Sequence, residues 1–317
     1  MNWNYSGVLV VAVLLGTASQ GAGPQAPAAT PSRTQVVLLG TGTPPADPVR
    51  SGPATAIVVN DTPYLVDFGA GVVRRAKSAA VDKGIAALDP VKLRVAFVTH
   101  LHSDHTVGYP DLILTPWVIG RRVPLDVYGP TGIKAMTDHI FEAYKADFET
   151  RTRDRQLYTV GAFPEGHAVN AHEIRPGVVY KDDNVTVTAF ATKHAMESYG
   201  YRFDARDRSI VISGDTSPTQ ATIDACNGCD VLIHEALTLE WLAKRPDFHK
   251  YAAQHHTTTE QLVELATKAR PRLLVIYHSS MSLRPTVDAE RSPPATFLRE
   301  MSKYTGQLVV GRDLDVF

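Results

Sequence analysis

From Gln35 to the end of the chain, strand-like apolar runs alternate with helix-like segments. This is the pattern of a layered α/β domain. Five of the runs stop at a residue type that ligates metal or moves protons. Residues 94–99 run into His100, and residues 185–190 are followed shortly by His194. Residues 209–213 run through Gly214 into Asp215, residues 230–233 into His234 and Glu235, and residues 272–277 into His278. In α/β sheets, sites collect beyond strand ends, where loops converge. Five such endings predict one site assembled from across the chain.

A sixth apolar run has a different character. Residues 8–15 read VLVVAVLL inside a stretch, residues 1–32, that has no charged side chain. The run is shorter than the roughly 20 residues of a bilayer span. It fits the apolar core of a secretory signal, with small residues following at 16–22. The segment before it has no Lys or Arg, and no cysteine follows it. A buried N-terminal strand or helix is the competing reading. Residues 22–32 are Ala/Pro-rich and read as a tether. The expectation is a signal peptide and tether over 1–32, a folded domain over 33–317, and a periplasmic or secreted protein. No stable membrane span should remain once the signal is removed.

Of the 317 residues, 44% are hydrophobic and 21% charged, which excludes a disordered, collagen-like or coiled-coil chain. Lys plus Arg number 32 and Asp plus Glu 33, so there is no whole-chain pull toward nucleic acid or anionic membranes. Cys226 and Cys229 cannot build a disulfide scaffold, and a zinc ribbon needs a second pair. They sit in the turn before a strand rather than opening a helix, which argues against a redox motif. A small structural disulfide is open to them in an oxidising compartment.

The densest chemistry lies at residues 99–105, Thr-His-Leu-His-Ser-Asp-His. In an extended segment residues i and i+2 point the same way, so His100 and His102 can share one ion. Asp104 and His105 then turn away toward a second. Imidazole and carboxylate are zinc-type ligands. Two cations a few ångströms apart repel, and a bridging carboxylate offsets that. Asp215, at the end of its own strand, is the best bridging candidate. His194 and His278 remain for the first and second ion. A single histidine here is usually a hydrogen-bonded core or surface residue; four ligand-type residues within six positions are hard to explain that way.

These residues, with Leu65-Val66-Asp67-Phe68-Gly69-Ala70-Gly71, Gly214-Asp215-Thr216, His234-Glu235-Ala236, His256-Thr257-Thr258-Thr259 and His278-Ser279-Ser280, resemble the metallo-β-lactamase superfamily. Within it they are most similar to the ribonuclease Z/arylsulfatase-like branch, over nearly all of 35–317. The resemblance implies a four-layer αββα sandwich. It implies two zinc ions, one on His100, His102 and His194, the other on Asp104, His105 and His278, with Asp215 between them. A bridging hydroxide is then the nucleophile, oriented by Asp104. His256, held by Glu235, protonates the leaving group, although His255 beside it competes for the role.

The expected function is hydrolysis of a phosphodiester or aryl sulfate ester by a metal-dependent enzyme. A lactonase or β-lactamase type carbonyl hydrolase is the alternative, and ribonuclease Z-like RNA processing is ranked below. Bacterial ribonuclease Z enzymes carry a long arm between the third ligand motif and the bridging aspartate, and here residues 203–214 leave no room for it. The expected partner is a small anionic ester, with no nucleic acid and with a homodimer left open.

Other features carry less. Gly40-Thr41-Gly42 lacks the third glycine of a dinucleotide loop, because position 45 is proline. The charge-rich residues 143–155 read as a solvated face, or as a lid over the site. Trp117, Arg121 and Arg122 can wall the pocket or, for Trp117, fill the core. His139, His167, His172 and His249 receive no role.

Overall fold

A computed structural model describes residues 1, 33–153, 164–283 and 291–317. The leader and tether expected over 1–32 lie outside the described residues, as do positions 154–155 of the charge-rich segment. Ser32–Phe317 make up one body.

Among the described residues, thirteen strands form two sheets. The first holds β1 (Thr34–Gly40), β2 (Ala54–Val59), β3 (Thr62–Val66), β4 (Val95–Phe97), β5 (Leu125–Gly129) and β6 (Val169–Glu173), in that order. The second comprises β7 (Gly177–Lys181), β8 (Val185–Ala191), β9 (Tyr199–Ala205), β10 (Ser209–Ile212), β11 (Val231–Ala236), β12 (Leu273–Ser279) and β13 (Gln307–Val310). Its spatial order is β13-β12-β11-β10-β9-β8-β7. Strands β3 to β6 and β10 to β13 run parallel, and the remaining neighbours are antiparallel. The helices are α1 (Val72–Asp82), α2 (Ser103–Thr106), α3 (Tyr109–Val118), α4 (Ile133–Ala143), α5 (Lys145–Arg153), α6 (Gln220–Cys226), α7 (Leu239–Ala243), α8 (His249–His255), α9 (Thr259–Ala269) and α10 (Pro294–Glu300).

Side chains alternate between the two faces of a strand, and that alternation builds the layers. On β1, Val36 and Leu38 join an apolar layer between the sheets, with Phe97, Tyr201, Ile212 and Ile233. Val37 and Leu39 face the other way, toward α1 and α3. On the second sheet, Val211, Leu232 and Leu274 face outward to Leu262 of α9 and Phe297 of α10. Three apolar layers separate four structural ones, which is the expected αββα sandwich.

The central strands are buried on both faces, so they read as near-continuous apolar runs. That is why the sequence pattern found them. Among the described residues no helix is long and apolar enough to cross a membrane.

Candidate metal centre

The parallel strands β4, β10, β11 and β12 all end at one edge of the sandwich. His100 follows β4, and His102 immediately precedes α2, a single turn that carries Asp104 and His105. His194 sits in the hairpin between β8 and β9, and Asp215 follows β10. All seven expected ligand-type residues therefore converge. Ligating atoms of His100, His102 and His194 lie within 4.8 Å of one another, as do those of Asp104, His105 and His278. Asp215 joins both sets: its carboxylate is 4.0 Å from His100, 3.9 Å from His194, 3.4 Å from His105 and 3.0 Å from His278.

Three backbone irregularities shape the site. By alternation after Leu274 and Ile276, His278 would face the outer helices. Instead its φ is +39°, a left-handed value that re-aims the ring toward Asp215. Asp67, just past β3, also has a positive φ of +62°. Its carboxylate accepts from the Thr99 backbone N–H at 2.8 Å and from His105 Nδ1 at 2.9 Å. Gly214 has a φ of +62°, and a Cβ there would lie 2.8 Å from Thr99 Cβ. Only glycine lets β10 deliver Asp215 so close to the metal loop.

The outer ring nitrogens are tied down. Nδ1 of His194 donates to the His255 carbonyl at 2.9 Å, and Nδ1 of His278 to the Gly42 carbonyl at 2.6 Å. With His105 tied to Asp67, three rings present Nε2 to the centre as fixed tautomers, the usual support of a metal-ligating imidazole. Burial holds His100 well below the usual histidine range, and burial likewise lowers His102 and brings His194 to about 4. This first trio is neutral, the form that binds metal. Burial would also lower His105 and His278, but neighbouring carboxylates outweigh it and raise both. Those carboxylates are Asp67 and Asp215 for His105, and chiefly Asp215 for His278.

The donor set fits divalent metal. Asp104 Oδ2, His105 Nε2 and Asp215 Oδ1 are buried with no hydrogen-bond partner. Buried polar atoms left unpaired are costly. Here they face one another, the two carboxylate oxygens 3.6 and 3.4 Å from His105 Nε2, where cations would satisfy them together.

Beside this cluster, His256 Nδ1 donates to Glu235 Oε1 at 2.9 Å. The Thr216 backbone N–H donates to the same oxygen at 2.9 Å. Burial alone would lower the imidazole, but the Glu235 carboxylate outweighs it and lifts His256 to about 9. The residues after His256 hold the loop in place. Thr257 donates to the Thr216 carbonyl at 2.6 Å, and Thr258 caps α9 in a capping box with Gln261. His234 differs from its neighbour. It is fully buried, faces the outer layer, and donates from Nδ1 to the Glu235 carbonyl. Glu235 thus serves the site and His234 does not.

The centre opens into a cleft of about 810 Å³. One wall comes from Pro44, Pro45 and Ala46 after β1; the other is aromatic, from Trp241, Phe248 and Tyr251 on and between α7 and α8. The sequence pattern did not reveal this second wall, nor the parts played by Thr99, Thr216 and Thr257. A pair of short helices with three aromatics just before His256 was the available signal. Trp117 and Arg121, read as candidate pocket walls, are both buried away from the cleft. Arg121 donates to the carbonyls of Leu112, Ile113 and Gly166. Nor does α5 of the charge-rich segment line the cleft; its Arg151 pairs with Asp147 one turn away. Cys226 and Cys229 form a buried disulfide.

A family model described as a beta-lactamase superfamily domain matches residues 62–279. The chain belongs to that superfamily, in its ribonuclease Z-like branch. A protein named ribonuclease Z from Mycobacterium sp. (strain KMS) is 32% identical over 291 residues, covering 88% of this chain and 94% of the relative. Another, from Mycobacterium bovis, is 30% identical over 287 residues, covering 88% and 96%. Among solved structures, the short form of human tRNase Z superposes with a TM-score of 0.64 at 21% identity, over 89% of this chain and 98% of that one. A metallo-beta-lactamase fold protein from Bacillus subtilis gives 0.64 at 17% identity, over 90% and 99%. At these identities the structures speak to the fold alone.

The relatives correct one expectation. The exclusion of a nucleic-acid partner is overturned by relatives that carry the name of a ribonuclease across nearly their whole length. That exclusion leaned on the missing arm, the balanced charge and the expected export signal. Yet alignments of 291 residues that already cover 88% of this chain leave the relatives little room for a long extra arm. Its absence therefore does not separate this chain from them.

Proposed function

We propose that the chain is a dinuclear, zinc-type metal-dependent phosphodiesterase that cleaves RNA. His100, His102 and His194 would hold one ion, and Asp104, His105 and His278 the other, with Asp215 shared. When bound, such ions supply positive charge against the phosphate and acidity to a water molecule.

The chain's own residues do the rest. Asp104 keeps an unpaired carboxylate oxygen in the cluster, where it can accept a proton and orient the attacking water. Glu235 accepts from His256 Nδ1 and its charge keeps the ring doubly protonated near neutrality, so Nε2 also carries a proton to offer on the cleft side. Proline and aromatic walls limit water around the bond that breaks.

The observation that carries this reading is the Glu235–His256 pair. A ribose alkoxide is a poor leaving group and needs a proton, which an imidazole held protonated by a buried carboxylate can give. Aryl sulfates and strained lactams need much less help. The ribonuclease Z names of the 30–32% identical relatives support the same direction.

The test is a labelled RNA hairpin with a single-stranded 3′ extension, incubated with metal-loaded full-length protein. Metal-dependent cleavage, with two ions bound per chain and loss of both activity and metal in Asp215→Ala, is expected. An intact RNA with two ions bound would overturn the proposal.

A further inference from the structure

The aromatic wall of the cleft has a position that the cluster of ligands does not explain. Phe248 and Tyr251 have ring centroids 6.1 and 5.6 Å from the His256 ring. They also touch each other, at 5.2 Å. Trp241 packs edge-on against Phe248, with centroids 5.5 Å apart and planes at 82°. The Arg245 guanidinium lies over the indole, 5.3 Å from its centroid. Trp241 and Phe248 are half-buried, and Tyr251 is 36% exposed, so the rings are not spent on the core.

The wall is also fixed relative to the metal cluster. The carbonyl of His255, at the end of α8, accepts from His194 Nδ1. The helix that carries Tyr251 is thereby latched to a ligand residue. His256, which follows, is the proton donor to the departing oxygen. Whatever flat group lies against Phe248 and Tyr251 must therefore belong to the departing side of the phosphodiester.

We infer that Phe248 and Tyr251, backed by Trp241, form a stacking subsite for the nucleobase of the nucleoside whose oxygen leaves. This rests on the phosphodiesterase reading for the identity of the departing group. Stacking tolerates any base, because every base has a π-face. The subsite selects for a nucleoside on that side without reading its sequence. A cleft of about 810 Å³ accommodates one or two nucleotides, within the usual range for ligand sites.

The chain has three tryptophans, Trp3, Trp117 and Trp241; Trp117 is buried in the core away from the cleft, and the Trp241 signal is taken as the difference from Trp241→Phe. Full-length metal-loaded protein is titrated with adenosine 3′-monophosphate and, separately, with ribose phosphate, following tryptophan fluorescence. The nucleotide should give saturable quenching that disappears in Trp241→Phe. A competition assay should show base-free ribose phosphate binding roughly 5- to 100-fold more weakly, the usual worth of one stacked base. Tyr251→Ser, at a half-exposed position that leaves the fold intact, and the near-isosteric Phe248→Leu should each erase most of that difference. Equal binding of nucleotide and ribose phosphate, or unchanged selectivity in both variants, would overturn the inference.

A second arm separates this failure from failure of the phosphodiesterase reading. RNA with an abasic nucleotide just upstream of the cut should be cleaved roughly 5- to 100-fold less efficiently by the wild type. In Tyr251→Ser that penalty should shrink. Cleavage that ignores the missing base rejects the subsite and keeps the phosphodiesterase. Base-selective quenching without any RNA cleavage keeps the subsite and rejects the phosphodiesterase.

Discussion

His256 Nδ1 lies 2.9 Å from Glu235 Oε1, and that carboxylate oxygen is held at the same distance by the Thr216 backbone N–H. The pairing fixes the ring orientation and raises the imidazole to about 9. A proton donor works below its pKa, so activity should be sustained through neutrality and decline as pH rises through about 9. In Glu235→Gln the charge is gone, and the alkaline limb should move down toward the ordinary histidine value of about 6.5. A pH–kcat profile of both proteins checks this; an unmoved limb would show that His256 is not the titrating donor. The same sign governs stability. A raised histidine stabilises the fold fully below about 6.5, and that contribution is lost as pH rises through about 9.

Asp67 supports the cluster without being one of its seven ligand-type residues. It accepts from His105 and Thr99, in a left-handed conformation that asparagine also tolerates. Asp67→Asn should therefore fold but hold His105 loosely. Supporting hydrogen bonds of this kind are worth about 10–100-fold in metal affinity. Competition with a chelator would measure it, and wild-type affinity in the variant would remove Asp67 from the set of supporting residues.

His234 should make the fold acid-sensitive. Burial lowers it to about 4, whereas the unfolded chain protonates it at about 6.5. A depressed histidine stabilises the fold above about 6.5, and that contribution is lost as pH falls toward about 4. The full window is worth about 3 kcal/mol. His234→Leu should flatten the dependence of urea stability on pH between about 7 and about 5 relative to wild type. Parallel slopes would mean that the ring is not buried neutral.

The Cys226–Cys229 bridge ties the end of α6 to the residues before β11. Its closed loop is only a few residues, so the stabilisation should be modest, about 2 kcal/mol on chain-entropy grounds. Protein matured in an oxidising compartment should show no free thiol after denaturation without reductant. Two titratable thiols per chain would show that the bridge does not form.

Much of the site was legible because it is encoded locally. The four ligand-type residues of 100–105 fall within six consecutive positions, and Asp215 and His278 follow apolar runs whose burial on both faces marks them as central strands. The layered fold was legible for the same reason. The geometry around His278 was not, because its re-aiming depends on one backbone angle that no residue pattern announces. Arg121 misled because a buried guanidinium is uncommon; it is accommodated by four backbone carbonyls, of Leu93, Leu112, Ile113 and Gly166, that converge in the folded chain. The aromatic wall escaped because α7 and α8 have five and seven residues, too short for a clear helical period. Net charge was a poor guide to substrate, since it averages over the whole surface and says nothing of one cleft.

The most direct test compares two phosphodiesters that differ in leaving group, using metal-loaded wild type and His256→Ala. On RNA, whose departing alkoxide needs a proton, the variant should lose about 10²- to 10⁴-fold in kcat. On bis-(p-nitrophenyl) phosphate, whose phenolate leaves unaided, the two proteins should turn over at similar rates. Equal losses on both substrates, or turnover of p-nitrophenyl sulfate with neither diester cleaved, would contradict the proposed role of His256 and the phosphodiesterase reading with it.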